Sequence, residues 1–351
     1  MLFKVISKIK FISVLFVLLL TAISSCGKGG ETTTTPVSKA PTNLTLDAVV
    51  SGSGNVVFKA AATNAVMYTF DLGNGISNQI STTGDFTYKY ATSGAYTVTV
   101  VAKSATGETA SKSTVINVTA ALSLIWSDEF DATTASAPDP NKWGYDLGAG
   151  GWGNNEQEYY TNRTTNAIVS GGTLKITAIK EAFSGSNYTS ARLLSKGKFS
   201  FKYGKVDISA KLPSKAGTWP ATWMLGDNFL SAGWPACGEI DIMEHIGNSL
   251  NKIYGTLHYP GRSGGNADGA TTMINNASTA FHKYTLEWTD VSIKIYVDDL
   301  LYYSFANNPT TPFNQNFFLI LNLAMGGNMG GTIDPAFTSD TMEVDYVRVY
   351  Q

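Results

Sequence analysis

The chain has 351 residues, and its 25 Lys and Arg nearly balance its 27 Asp and Glu, for a formal net charge of −2. Without a basic cluster beyond its first residues, this chain is not expected to bind nucleic acid. Charged residues make up 15% of the sequence, while Gly, Thr, Ser and Tyr are plentiful, which favours an extracellular all-β protein of one or more domains that acts on a neutral polymer.

Residues 1–26 have the features of a targeting segment. A lysine-containing start precedes the apolar run 11–22, which is too short to span a bilayer comfortably. The run ends in Ile-Ser-Ser-Cys, which resembles a bacterial lipobox and implies cleavage before Cys26 and acylation of its thiol. We therefore expect a lipid-anchored protein of the bacterial cell envelope, at the outer membrane or cell surface. An ordinary signal peptide with an incidental Cys is the alternative.

Two further segments precede the main domain. Residues 27–41 are rich in Gly, Thr, Ser and Lys, which predicts a flexible tether. Residues 42–119 alternate apolar and polar residues in short runs between turn signals, which predicts a small β-sandwich. Their motifs FDLGNG and YKYATSGAYTVTVVAKSATG resemble the polycystic kidney disease (PKD) domain, an immunoglobulin-like fold. With no His and no acid pair, this domain is expected to be a spacer, or a weak glycan-binding module.

Residues 122–351 form the predicted main domain. They show almost no helical periodicity and many strand-like runs. A two-sheet jelly roll contains enough strands to accommodate these runs. The clearest of these runs are 174–179, 199–212, 285–297, 317–323 and 342–350. Asp290-Val291-Ser292 and Asp298-Asp299 are predicted hairpin connections.

The segment 233–247, GWPACGEIDIMEHIG, carries three acids within six residues. On a strand, Glu239 and Asp241 share one face, whereas strict alternation would turn Glu244 to the other. A β-bulge at Ile242-Met243 would return Glu244 to the acidic face. We therefore predict a bulged strand with three carboxylates on one side.

Two Glu and a helper Asp suit glycoside hydrolysis with retention, which needs two carboxyls about 5–5.5 Å apart. The alternative is an edge strand whose solvated acids prevent aggregation. A solvated edge strand rarely has three tryptophans near it, as this segment does with Trp219, Trp223 and Trp234. Pro220 excludes an ordinary helix between the first two, so they share a strand face and are predicted to form a stacking platform for sugar rings, with Trp234 as a further substrate contact.

The pattern EIDIME, preceded by GTWPATWMLG and followed by YGTLHY, resembles glycoside hydrolase family 16, and the extra residue before the last Glu resembles its laminarinase branch. WSDEFD and DYVRVY resemble the opening and closing strands of that family. The resemblance implies a concanavalin-like β-jelly roll over residues 122–351. It further implies that Glu239 is the nucleophile, Glu244 the general acid/base, and Asp241 the residue that tunes the nucleophile.

The same resemblance implies a set of substrate contacts. In GWGNNEQEYYT it points to Asn154, Glu156 and Tyr159 as cleft residues, and aromatic rings and amides are the groups that bind sugars. It also implies that Arg192 faces the substrate and that His258 is directed at the sugar near the acid/base.

No zinc-type cluster of Cys and His is present in the sequence, and no cofactor is expected for catalysis. The family often holds one structural Ca²⁺ far from the cleft, with oxygen ligands only. By resemblance these ligands would be Asp345 and backbone oxygens near Glu129 and Gly172.

The sequence thus favours a monomeric, retaining endo-β-1,3-glucanase (laminarinase) that hydrolyses β-glucan by double displacement with two Glu. The same chemistry on mixed-linkage glucan or an agar-type galactan is the first alternative. A non-catalytic glycan-binding lipoprotein is the second, and the intact acids argue against it.

Overall fold

The computed structural model of the chain describes residues 39–351. The predicted leader, the lipidation site Cys26 and the tether up to residue 38 lie outside the described residues. Among those that are described, no helix has the length and apolar character to cross a membrane. Regular structure in this part of the chain is almost entirely strand, which confirms the all-β class.

Seven strands occupy the region between the predicted tether and the main domain. β1, β2 and β5 form one sheet, and β4, β3, β6 and β7 form a second in that order. Their bounds are β1 Thr42–Val50, β2 Asn55–Thr63, β3 Met67–Asp71, β4 Gln79–Ser81, β5 Asp85–Lys89, β6 Gly94–Lys103 and β7 Thr109–Val118.

The described chain divides into two compact units, and the division passes through these seven strands. The smaller unit holds 58–86 and 97–114 with the described residues up to Asp47, and the larger holds 48–57, 87–96 and 115–351. In the smaller unit, the Phe70 ring lies 5.9 Å from Phe58 and 5.3 Å from Phe86, centroid to centroid. The boundaries expected from the sequence and the PKD likeness stay predictions.

The remaining strands all belong to the larger unit. They are accompanied by two single-turn helices, α1 Phe229–Ala232 and α2 Gly327–Gly330. The strands are β8 Leu124–Asp128, β9 Gly144–Asp146, β10 Glu158–Tyr160, β11 Ala167–Ser170, β12 Thr173–Phe183, β13 Ser186–Ser190, β14 Arg192–Leu194, β15 Gly204–Lys211, β16 Thr218–Gly226, β17 Glu239–His245, β18 Lys252–His258, β19 Asp268–Met273, β20 His282–Trp288, β21 Ser292–Val297, β22 Leu300–Ala306, β23 Phe317–Met325 and β24 Ser339–Tyr350.

These strands form two sheets around one core. A ten-stranded sheet runs β10-β13-β12-β24-β15-β20-β21-β22, with β11 beside β12 and β8 beside β24. A seven-stranded sheet runs β19-β18-β17-β16-β23-β14-β9. Fully buried side chains from both sheets join in one hydrophobic cluster, among them Ile208 and Leu286 from the first and Ile240 and Leu321 from the second. This sandwich is the predicted jelly roll, and it leaves the opposite face of the seven-stranded sheet to carry the site.

Two of the predicted strand runs are shorter or divided in the structure. In 199–212, the strand begins only at Gly204, because the positive φ of 62° at Tyr203 and 129° at Gly204 breaks the extended backbone. The run 285–297 is divided by a turn between β20 and β21, which form an antiparallel pair, so the hairpin connection predicted at Asp290-Val291-Ser292 is confirmed to within one residue. The hairpin at Asp298-Asp299 is confirmed: both residues have positive φ, 48° and 67°, as a type I′ turn requires.

Candidate active site

The predicted bulge in β17 is present. Asp241 pairs with Thr256 of β18 and Glu244 with Tyr254, so that two residues, Ile242 and Met243, face the single residue between them. The pairing with β16 shows the same irregularity, with Trp223 opposite Asp241 and Ala221 opposite Glu244. Ile242 and Met243 are both fully buried in the core. The bulge therefore leaves Glu239, Asp241 and Glu244 together on the face of the sheet that is turned away from the core.

Two ring nitrogens lie next to the Glu239 carboxylate. The Trp234 indole N–H donates to its Oε2 at 2.9 Å, and His258 Nε2 lies 3.6 Å from its Oε1. His258 is directly opposite Glu239 in the β17–β18 pair. The Glu239 side chain is 17% exposed, so a substrate can reach its carboxylate although the carboxylate is already oriented.

Asp241 lies between the two Glu and is more deeply enclosed, with 5% of its side chain exposed. Its Oδ2 is 3.2 Å from His258 Nε2, but no well-aligned hydrogen bond reaches this oxygen. Burial, followed by the charge of Glu244, raises the pKa of Asp241 well above its usual range. Asp241 is thus suited to hold a proton beside Glu239.

Glu244 has a different set of donors. The Trp219 indole N–H donates to Oε1 at 3.0 Å, and the Thr256 hydroxyl donates to Oε2 at 3.3 Å. Burial raises the pKa of Glu244, and the Trp219 hydrogen bond opposes that rise. The three acids therefore share one face of the sheet, but each has different hydrogen-bond partners.

The electrostatics of this cluster favour mixed protonation states. Burial and the neighbouring Asp241 raise the pKa of Glu239 to about 8, while His258 and the Trp234 hydrogen bond act in the opposite direction. Three enclosed carboxyls repel one another when all are ionised, which favours a proton on at least one of them. A site that holds both an ionised and a protonated carboxyl can attack with one and donate a proton from the other.

A hydrogen-bond chain runs from this site across the sheet to the loop before β10. The Trp223 indole N–H donates to Asn322 Oδ1 at 2.8 Å, and Asn322 Nδ2 donates to the Tyr160 hydroxyl at 3.0 Å. That hydroxyl donates to Glu156 Oε2 at 2.8 Å, and Asn154 Nδ2 donates to Glu156 Oε1 at 3.2 Å. The bonds from Trp223 to Tyr160 all run towards Glu156 and Asn154 donates to it from the other side, so the Glu156 carboxylate accepts at both oxygens.

Arg192 lies beside this chain on β14. Its guanidinium carbon is 4.7 Å from the Trp223 ring centroid and 5.0 Å from that of Trp152, and its Nε is 3.1 Å from Asp146 Oδ2. The Arg192 side chain is 12% exposed. The cation is thus enclosed between two indole faces and a carboxylate, an arrangement in which cation–π attraction is strongest because water is excluded.

Comparison with known proteins decides the family. The model of glycosyl hydrolases family 16 matches residues 154–348. The chain belongs to glycosyl hydrolase family 16. The model of the β-glucan synthesis-associated proteins SKN1/KRE6/Sbg1 also matches, over residues 39–240, and ends before Asp241 and Glu244.

Individual relatives of this family-16 chain cover about two thirds of its length. A β-glucanase of Rhodothermus marinus is 48% identical in an alignment of length 244 that covers 65% of this chain and 85% of the relative. Glucan endo-1,3-beta-glucosidase A1 of Niallia circulans is 39% identical over 66% of this chain and 38% of its own length. Among solved structures, the laminarinase from Rhodothermus marinus superposes with a TM-score of 0.63 at 47% identity, covering 66% of this chain and 98% of that one.

The three tryptophans expected to contact substrate in this family-16 site differ in exposure and in their partners. Trp219 is 8% exposed and its N–H donates to Glu244. One face of Trp223 is covered by Arg192. Trp234 is the open one, 52% exposed beside His258. Stacking of sugar rings on Trp219 and Trp223 stays a prediction, and the indole N–H groups of both rings donate to side chains of the sheet, which makes these rings positioning groups as well.

Tyr159 and Tyr160 are adjacent residues of β10 with different surroundings. Tyr159 lies on the other side of β10 from Tyr160 and packs edge-on against Phe183, with ring centroids 5.1 Å apart. Tyr160 is fully buried, donates a hydrogen bond to Glu156 and accepts one from Asn322. Substrate contact by Tyr159 stays a prediction that no contact with the acids supports.

The strands next to the predicted calcium ligands are neighbours, because β8 and β12 both pair with β24. Asp345 is the extra residue of a second bulge, between the pairs Ser209–Tyr346 and Ala210–Val344. On the other edge of β24, β8 ends just before Glu129 and β12 begins just after Gly172. The Glu129 carboxylate itself pairs with Arg348 Nη2 at 2.7 Å. A bulged Asp near two loop backbones fits Ca²⁺, and its binding stays a prediction.

Four residues of the site were not found from the sequence: Asn322, Tyr160, Thr256 and Asp146. Their strands were recognisable in part, but their partners lie on strands that are distant in sequence. Asn322 carried the one usable signal, since an Asn within the apolar run FFLILNLAM of β23 is a polar group that needs a partner.

Proposed function

We propose that this chain is a retaining endo-β-1,3-glucanase with Glu239 as nucleophile and Glu244 as general acid/base. The observation that carries the proposal is the bulge in β17, which aligns three acids on one face and gives each Glu its own donors. The names of the family-16 relatives support β-1,3-glucan as the substrate.

In this mechanism, the Glu239 carboxylate attacks the anomeric carbon while Glu244 protonates the departing glycosidic oxygen. The covalent glycosyl-enzyme is then opened by water, whose proton Glu244 accepts. The Trp234 N–H holds Oε2 of Glu239 and so orients the attacking carboxylate. Burial and the charge of Glu244 raise the pKa of Asp241, which favours a proton on Asp241 while Glu239 is ionised, so that one negative charge faces the sugar.

Reducing-sugar release from laminarin, lichenan and agar tests the substrate, and the anomer formed first, observed by NMR, tests retention. We expect laminarin to be cleaved fastest with retained β-configuration. No release from any of the three would favour a binding module, and preferred cleavage of lichenan or agar would move the specificity to mixed-linkage glucan or galactan.

The roles of the two Glu are tested with azide. Glu239→Gln should lose nearly all hydrolysis, because an amide cannot attack. Glu239→Ala leaves space for azide to replace the nucleophile, giving an α-glycosyl azide, whereas azide added to Glu244→Ala should open the glycosyl-enzyme and give the β-azide. The opposite pair of products would reverse the roles.

We also propose that the protein is a monomer that is lipid-anchored through Cys26 in the cell envelope, with the first domain acting as a spacer. Support comes from the lipobox-like sequence before Cys26 and from the absence of His and paired acids in residues 42–119. Cys26→Ser should move the protein from the membrane fraction to the soluble fraction; an unchanged distribution would contradict the anchor.

A further inference from the structure

His258 sits where a metal ion would also fit. Among the described residues, Glu239, Asp241 and His258 are the acids and histidine whose ligand atoms lie within 4.8 Å of one another. Two carboxylates and an imidazole are donors that suit a divalent transition metal. These three residues can bind a metal only if His258 Nε2, which faces the two acids, carries no hydrogen. Which nitrogen of the His258 ring is protonated therefore decides between a metal site and a hydrogen bond.

The second nitrogen of the ring answers this question. The main-chain N–H of Gly264 donates to His258 Nδ1 at 3.1 Å. A nitrogen that accepts a hydrogen bond carries no proton, so the proton of the neutral ring is on Nε2, the atom that faces Asp241 and Glu239. Metal-binding histidines show the reverse arrangement, in which the nitrogen away from the metal donates to a carbonyl or carboxylate.

The loop that supplies this N–H is tied at both ends. Tyr259 and Arg262 exchange backbone hydrogen bonds at 2.8 and 2.9 Å. Asn266 Nδ2 donates to the Gly261 carbonyl at 3.1 Å, and the Ala267 N–H donates to the Gly264 carbonyl at 3.1 Å. Gly264 has a φ of 55°, in the left-handed region. The donor is thus placed by a hydrogen-bonded turn.

We propose that the Gly264 N–H fixes His258 as the Nε2–H tautomer, which donates a shared hydrogen bond to Asp241 and Glu239 and positions the nucleophile. Nε2 lies 3.2 Å from one carboxylate and 3.6 Å from the other. An N–H that lies between two acceptors points directly at neither of them. Hydrogen bonds of this kind in active sites often shorten when substrate binds. His258 is therefore a positioning residue of the nucleophile, not a metal ligand. The part about the nucleophile rests on the proposed function of Glu239.

The tautomer is measured without any assay of activity. The chain has three histidines, so ¹⁵N-histidine labelling of the full protein, with His258→Gln to assign its signals, resolves the ring. We expect a protonated Nε2 and an unprotonated Nδ1 in neutral His258. The Nδ1–H tautomer would overturn the proposal, as would a Zn²⁺ titration in which the wild type binds one ion that His258→Gln loses.

The role is measured with two amides of different length. Gln places its amide nitrogen near the position of Nε2, whereas Asn places it near Nδ1. Losing a hydrogen bond to a charged group costs about 10- to 100-fold in rate, so His258→Asn should lose kcat by that factor with KM little changed, and His258→Gln should retain most of it. Thermal unfolding checks that both variants fold.

Two outcomes would overturn the role. Equal loss of kcat in the folded Gln and Asn variants would show that Nε2–H donation is not what matters. A raised KM with unchanged kcat would make His258 a sugar contact alone. An inactive wild type on every glucan would refute the proposed function, while the tautomer would still be decided by the labelled ring.

Discussion

Deletion of Met243 tests whether the bulge alone keeps Glu244 with the other acids. Between Asp241 and Glu244, two residues of β17 face one residue on each neighbour, Thr222 of β16 and Gly255 of β18. After the deletion, one residue would face one residue on both sides. The strand can then become regular without moving Glu244, because the neighbours need no new register.

The cost of this deletion follows from the burial of Met243, which is 0% exposed in the core. Removing a buried Met side chain costs about 2–5 kcal/mol. For a domain of this size, the melting temperature should fall by roughly 4–20 °C. A register slip would cost more, because it would turn the Glu244 carboxylate into the core and bring His245 to the open face. We therefore expect local loss of the bulge and partial activity.

The assay compares turnover on laminarin and thermal unfolding among three variants. Met243→Ala is the matched control, since it makes a similar cavity but keeps the bulge, and Glu244→Gln reports the loss of the acid. The deletion variant should unfold near Met243→Ala and be clearly more active than Glu244→Gln. A soluble, folded deletion variant as inactive as Glu244→Gln would refute the argument that the bulge can be lost locally.

Three further predictions follow from the same contacts. Trp219→Phe removes a hydrogen bond that lowers the pKa of Glu244, so the pKa rises further and the basic limb of the kcat/KM profile should move to higher pH; a shift to lower pH would contradict this assignment. Residues 122–351 alone should keep full turnover on soluble laminarin, and a large loss in a well-folded fragment would give the first domain a catalytic part. Ca²⁺ should raise the melting temperature of the chelator-treated protein but not that of Asp345→Ala, and equal melting with and without Ca²⁺ would exclude the site.

Local chemistry was enough to predict the central strand. Alternation with period two, together with one inserted residue, placed Glu239, Asp241 and Glu244 on one face before any fold was known, and the pairing of β17 with both neighbours confirms it. The turn at Asp298-Asp299 was predictable for the same reason. In each case the determining interactions lie within a few residues of the chain.

The partners of these acids depended on which strands became neighbours. Asn322 and Tyr160 are 162 residues apart in sequence, and their hydrogen bond exists only because the fold brings β23 close to β10. The same order of strands places Trp219 in hydrogen-bond contact with Glu244 and encloses Arg192 between the indoles of Trp223 and Trp152. Alternation along one strand sets the face of a side chain, but the sheet order sets what it meets there. The order of the strands depends on how the whole domain packs two sheets around one core. The sequence therefore predicted the positions of the acids but not the residues that surround them.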